Sequence, residues 1–142
     1  MVNDHVDLAM LSQADGVHLG ADDLSLEAAR RLAGGTLLVG ATASTPDAAL
    51  AAIKAGADYI GCGPAFATPL KPQKVVIGPR GVAEVTTALG ESVAVFAIGG
   101  IDASNIAQLT AAGVRRACVI RAVGDAPDPE AAARGLRAML EA

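Results

Sequence analysis

Apolar positions recur along the chain in short blocks that alternate between two kinds of spacing. Val93-Ala94-Val95-Phe96-Ala97-Ile98 is a six-residue apolar run without a charge, too short for an ordinary helix and bounded by glycine. It predicts a strand buried on both faces, as in a parallel sheet. Gly99-Gly100 follow, then Asp102 as a candidate N-cap for a helix over Ala103–Ala112, which Gly113 closes. The same strand–turn–helix grammar runs through the rest. A helix is predicted from Asp4 to Gln13, a strand at Val17–Gly20, and a Ser25-capped helix over Leu26–Leu32, with Leu26, Ala29 and Leu32 on one face. A strand over Thr36–Thr42 comes next, then a helix opened by Thr45-Pro46 and ended at Gly56. Further strands are predicted at Asp58–Cys62 and Arg115–Ile120, and further helices at Arg80–Leu89 and Glu130–Leu140.

The order is therefore one helix, then strand and helix five times over. Strict alternation implies a parallel sheet with right-handed crossovers. No GxGxxG follows the first strand, so a dinucleotide-binding fold has little support. The repeat length suits a (βα) barrel, but a TIM barrel has eight strands. The expected fold is an α/β, incomplete TIM (βα) barrel forming a single domain over residues 1–142. It has about five parallel strands plus a stub at Met1–Asn3, and lacks the first two to three strands.

Composition narrows the function. The chain of 142 residues is 52% hydrophobic and 18% charged, with net charge −4 and no long basic run. It can bury a core, and nucleic acid or an anionic membrane is disfavoured as its main partner. No apolar stretch reaches transmembrane length and the start does not read as a signal peptide. Cys62 and Cys118 have no CxxC partner and read as buried thiols, which makes the cytoplasm the expected location.

Three places carry candidate chemistry. Gly99-Gly100 between a strand and a helix can serve as a simple tight turn or as an anion site, where backbone N–H groups point at a phosphate. Gly63 to Arg80 is the longest connection and holds four of the seven prolines, Pro64, Pro69, Pro72 and Pro79. Asp4 and Asp23 follow strands and so belong at the C-terminal rim, where barrel active sites sit. Each can be a helix cap or a solvated acid. Together they suit Mg²⁺, commonly held by one or two carboxylates plus substrate phosphates.

Taken together, the segments Val2-Asn3-Asp4-His5-Val6-Asp7-Leu8-Ala9, Gly16-Val17-His18-Leu19-Gly20-Ala21-Asp22-Asp23, Gly63-Pro64-Ala65-Phe66-Ala67-Thr68-Pro69-Leu70-Lys71 and Ala97-Ile98-Gly99-Gly100-Ile101 resemble the thiamine phosphate synthase family in order and spacing. The thiazole tautomerases are the nearest relatives in that superfamily. The resemblance implies a transferase that joins hydroxymethylpyrimidine diphosphate to thiazole phosphate with Mg²⁺, giving thiamine phosphate and pyrophosphate through a dissociative step. It implies Asp4 and Asp23 as metal ligands, with Asp22 facing solvent, and Asn3 against the pyrimidine. Thr42 stands where the family commonly has Ser, and Lys71 matches the basic residue that neutralises pyrophosphate; these two are the catalytic candidates. Thr68 and the adjoining Pro69 and Leu70 match the thiazole-phosphate contacts, although Leu70 lacks the usual hydroxyl. Gly99, Gly100, Ile120 and Arg121 match the phosphate-binding ends of the last two strands. Ser44 stands where relatives often carry His, which weakens a tautomerase reading. His18 reads equally as a hydrogen-bonded core histidine or a catalytic one, and His5 as a rim residue.

The family's Gln-x-Arg-x-Lys type motif, which grips pyrophosphate, is absent, because the chain starts beyond it. Charge neutralisation of a leaving diphosphate is a large electrostatic effect, so impaired activity is expected of this truncated chain. An open edge at the Val17 strand is expected too, offering pairing with another copy. The competing reading is a non-catalytic thiazole-phosphate-binding remnant or an association module.

Overall fold

The computed structural model describes residues 1–69 and 71–141; the expectation for Leu70 lies outside the described residues. Five strands form one parallel sheet in sequential order: β1 (Val2–Asn3), β2 (Gly16–Leu19), β3 (Leu38–Ala43), β4 (Tyr59–Cys62) and β5 (Ala94–Ala97). Helices α1 (Val6–Leu11), α2 (Leu26–Ala33), α3 (Pro46–Lys54) and α4 (Gly78–Leu89) connect them, and α5 (Ile106–Ala111), α6 (Arg121–Gly124) and α7 (Pro129–Glu141) follow β5. This is the open, TIM-barrel-like α/β architecture that the alternation predicts. No helix among the described residues is long and apolar enough to cross a membrane.

Two strand expectations change in detail. The Met1–Asn3 stub is a paired strand: Val2 lies against Val17 and Asn3 against His18, so β1 and not β2 forms that edge of the sheet. Arg115–Ile120 is not a strand. It touches the sheet at one parallel bridge, Ala97 to Ala117, made by Ala97 N–H to Arg116 O at 2.9 Å and Cys118 N–H to Ala97 O at 2.9 Å. Among the described residues this segment has sheet on one side only, and its Arg115 and Arg116 are exposed.

The core lies between the sheet's outer face and the helices. One cluster joins Ile60, Cys62, Val95 and Ala97 to Val82, Val85, Ile106 and Leu109; a smaller one joins Val17, Leu19 and Val39 to Val6, Ala9 and Ala29. β5 was expected to be buried on both faces, but only Val95 and Ala97 are, while Ala94 and Phe96 are half-buried. The cause is that their side chains line the concave face, which no helix among the described residues covers. Cys118 is likewise exposed rather than buried, because its segment never enters the sheet. In α2 the buried positions are Ala29 and Ala33, and Leu32 points outward at 57% exposure.

Local signals set the helix starts. Ser25 and Thr45 cap α2 and α3, accepting from the N–H of Ala28 and Ala48 at 3.3 and 3.2 Å. Asp102 is not an N-cap: its carboxylate turns back onto Ser104, and α5 begins at Ile106 after Asn105. The Asx-type turn has displaced the first helical turn. Behind the sheet, Arg30 donates to Gly56 O at 2.6 Å and Leu37 O at 2.9 Å and pairs with Asp58 at 2.5 Å. Asp58 in turn accepts from Val39 N–H at 2.7 Å, so one guanidinium ties α2 to the starts of β3 and β4.

Candidate active site

Every strand runs in the same direction, so the residues that follow the strands share one rim. Asp4 follows β1 with φ 67°, and Asp23 follows β2. The loop from Gly63 follows β4, and Gly99-Gly100 follow β5. The acids and the double-glycine turn therefore lie at the same end of the sheet.

Asp23 is half-buried and accepts the Gly20 N–H at 2.7 Å, which fixes its carboxylate across the turn; Asp22 is exposed. Asp4 is held through its backbone, N–H to His18 O at 2.8 Å. Both carboxylates, and Lys71 from the proline-rich loop, act electrostatically on His18. Burial is the largest influence on His18 and pulls it below the ordinary histidine value; Lys71 adds to that, and Asp4 and Asp23 oppose it.

The Gly63 loop docks on the end of β5. Ala65 N–H donates to Ile98 O at 2.8 Å and Phe66 N–H to Gly99 O at 3.0 Å, across a cis Gly63–Pro64 peptide. Gly99 and Gly100 have φ of 90° and 65°, in the region that favours glycine. A side chain at Gly99 would lie 2.6 Å from Pro64 Cβ, and one at Gly100 would lie 2.8 Å from Phe66 O and nearer still to Ala67 O. The two glycines are thus required by the loop that packs on them. That loop encloses an open recess of about 320 Å³ lined by Ala67, Thr68, Pro69, Lys71 and Lys74 among others. Two lysines and no acid line it, a charge balance that favours an anion.

Ile120 is 68% exposed and precedes the four-residue α6, whose first residue is Arg121. Arg121 helps hold the Asp102 carboxyl below the usual range, behind the stronger hydrogen bonds from Ser104. Asp102 and Ser104 border the same surface recess as Ala122, so the start of α6 lies beside the segment that follows the turn after β5. Asn3 is exposed at the end of β1, and Thr42 is exposed near the end of β3. Ser44, just past β3, is also exposed and offers no imidazole.

The concave face adds a residue that the sequence reading did not single out. His18 Nδ1 lies 3.0 Å from Tyr59 Oη, and Nε2 lies 2.9 Å from Thr42 Oγ1. Tyr59 also meets Phe96 edge to face, centroids 5.7 Å apart. Burial, and the neighbouring Cys118, push the Tyr59 phenol above its usual value. A single polar residue in each of three successive, otherwise apolar strands, on the face opposite the core residues, is the signal that would have found the trio.

Parallel βα units whose charged side chains and glycine turn converge on the C-terminal rim define a (βα)-barrel-type protein. The thiamine monophosphate synthase family matches residues 1–123 of the chain. The chain is 48% identical to a thiamine-phosphate synthase of Thermus thermophilus over 139 residues, covering 98% of this chain and 66% of that protein. It is 50% identical to one of Anaeromyxobacter dehalogenans, covering 100% and 64%. The solved thiamine phosphate pyrophosphorylase from Pyrococcus furiosus superposes with a TM-score of 0.86 at 38% identity, covering 99% of this chain and 66% of that one. A 3-hexulose-6-phosphate synthase, at 22% identity and a TM-score of 0.69, shares the fold. The chain belongs to the thiamine monophosphate synthase family. It spans just under two thirds of the length of these curated relatives.

Proposed function

We propose that the chain carries the metal-holding and thiazole-phosphate-receiving rim of a thiamine phosphate synthase. The observation that supports this best is that Asp4, Asp23 and Gly99-Gly100 all follow parallel strands at the same sheet end, where Asp4, Asp23 and Lys71 act electrostatically on His18. The reaction class would break the bond between the pyrimidine methylene and diphosphate, the electron pair leaving with diphosphate. The thiazole nitrogen then forms the new bond to that carbon.

Each residue has a role in this reading. The backbone at Gly99-Gly100, with Ile120-Arg121, receives the thiazole phosphate, and Arg121 contributes charge. Thr68 and Pro69, which border the recess of the Gly63 loop, complete the thiazole-phosphate contacts. Lys71 neutralises the leaving diphosphate, Asn3 orients the pyrimidine, and Thr42 offers a hydroxyl. Asp4 and Asp23 would hold Mg²⁺, and the donor set suits that ion: two hard carboxylates and no soft ligand. Among the described residues no group of three or more His, Cys, Asp or Glu gathers as a metal site. Phosphate oxygens and water would have to complete the coordination of such an ion. Bound there, Mg²⁺ supplies charge neutralisation of the diphosphate.

The test is direct binding to the purified chain, followed by calorimetry or NMR. Thiazole phosphate should bind saturably without metal, and Lys71→Ala should leave that binding within about threefold. Mg²⁺-pyrophosphate should bind with Lys71 and Asp23 both required, each of Lys71→Ala and Asp23→Asn weakening it about tenfold or more, the scale of a lost charge-assisted contact. Absence of saturable binding of either ligand would overturn the assignment.

A further inference from the structure

Resting on that reading, we propose that Tyr59, His18 and Thr42 form a directional hydrogen-bond relay that presents the Thr42 hydroxyl proton to an oxygen of the bound diphosphate. Tyr59 and His18 act as positioning residues. The parallel register puts all three on the concave face: His18 pairs with Gly40, Gly40 with Tyr59, and Thr42 lies two residues beyond Gly40. Both ring nitrogens of His18 are engaged, by Tyr59 at 3.0 Å and by Thr42 at 2.9 Å.

A neutral imidazole carries one donor and one acceptor, so the two contacts must run in one direction. The phenol is the more acidic hydroxyl and the better donor, so Tyr59 donates to Nδ1. Nε2–H then donates to Thr42 Oγ1. A hydroxyl that already accepts from histidine keeps its own proton for another acceptor. Thr42 is exposed at the rim, and Lys71, Asp4 and Asp23, the groups proposed to flank diphosphate, all act electrostatically on the His18 to which it is hydrogen-bonded. An anionic oxygen is thus the acceptor this donor suits.

The surroundings are shaped for the trio. A Cβ at Gly61 would come within 3.0 Å of His18 Cε1 and 3.3 Å of Nε2, and one at Gly40 would strike the Tyr59 ring. The edge of the Phe96–Tyr59 pair, with ring planes at 84°, backs the phenol on its other side. Two bare glycines and one aromatic brace hold the imidazole plane between its two partners.

The experiment reads the imidazole tautomer by long-range ¹H–¹⁵N NMR of the 142-residue chain at pH 8, with His5→Gln assigning the two histidines. The expected result is His18 as the Nε2–H form. Tyr59→Phe, which keeps the ring against Phe96, should remove that preference and give a mixture. A His18 found as Nδ1–H, or a tautomer unmoved by Tyr59→Phe, overturns the relay and leaves the rim assignment standing. Titration with Mg²⁺-pyrophosphate gives the second arm. Thr42→Val should weaken binding about tenfold, Tyr59→Phe about threefold, and Thr42→Ser should restore it, the range expected for one hydrogen bond. Failure of the unaltered chain to bind pyrophosphate sinks the rim assignment, and the tautomer alone then decides the relay. Equal binding by Thr42→Val overturns the presented proton.

Discussion

Replacing Gly100 by alanine should damage the chain in two separable ways. The first is conformational: φ at Gly100 is 65°, and a Cβ in the left-handed region costs about 1–2 kcal/mol. The second is steric. The new Cβ would sit 2.8 Å from Phe66 O and closer to Ala67 O, where ordinary contact needs roughly 3.4 Å, so the loop must retreat by about 0.6 Å or more. Both obstacles are backbone, which cannot swing away as a side chain can. Overpacking of this kind costs about 1–3 kcal/mol, giving a total of about 2–5 kcal/mol. For a domain of this size that corresponds to a fall in Tm of roughly 6–15 °C. Gly113 supplies an internal control, since its φ is 83° but nothing lies within 4 Å of a Cβ there. Gly113→Ala should therefore show only the conformational part. Urea denaturation of both variants, with thiazole-phosphate binding in parallel, measures the difference. Gly100→Ala should be the less stable by about 1–3 kcal/mol and should bind at least tenfold more weakly, since small misplacements of a site are costly. Equal stability of the two variants, or unchanged binding by Gly100→Ala, would refute the claim that the Phe66–Ala67 backbone rests on this glycine.

Two further outcomes follow from the packing. Arg30→Met should cost about 2 kcal/mol in urea denaturation, discounted for the 26% and 38% exposure of the Arg30 and Asp58 side chains. A double-mutant cycle with Asp58→Asn should show coupling of about 1 kcal/mol, and none at all would mean that water replaces the pair. A thiol reagent at pH 8 should label the exposed Cys118 rapidly and Cys62 only on unfolding, because burial pushes the Cys62 thiol up to about 11. Equal native labelling of both would contradict the packing of β4. The sign of the linkage follows from the raised value: the fold favours the neutral thiol, so this contribution is complete below about pH 9 and is lost as pH climbs toward 11.

The strands that were legible are those flanked by glycine and completed on both sides by neighbours. β2, β3 and β4 lie where period and punctuation put them, and Ser25 and Thr45 cap as their positions imply. Arg115–Ile120 reads as a strand from its apolar residues, yet strand formation is a property of the partner as much as of the segment, and only Ala117 finds one. Asp102 misleads for a related reason. An aspartate before a helical pattern can cap it or fold into its own turn, and Ser104 two residues on decides for the turn. The helix Asp4–Gln13 shortens to Val6–Leu11, because Asp4 takes a positive φ and is bonded to β2. Of the rim, the acids and glycines were readable one by one. Tyr59 was not, since its meaning depends on which residue lies two strands away.

That dependence explains why the concave face carries polar groups without losing the sheet. Burial against helices is confined to the outer face, where Val17, Val39, Ile60 and Val95 supply the core. The inner face is free to hold Asn3, His18, Thr42 and Tyr59 so long as their polar atoms are satisfied, and no buried side-chain nitrogen or oxygen among the described residues lacks a partner. Large rings at His18 and Tyr59 alternate with bare positions at Gly40 and Gly61: the Tyr59 ring lies over Gly40 of the neighbouring strand, and the His18 ring reaches across β3 to Gly61 of β4. A one-residue slip of β3 against β2 would bring Val39 or Ala41 opposite His18 in place of Gly40 and turn the wrong face of β3 toward the core. The hydrophobic demand of the outer face therefore holds the register, and the register assembles the polar trio. Stability and chemistry are divided between two faces of the same strands, each fixed by the other through the pleat.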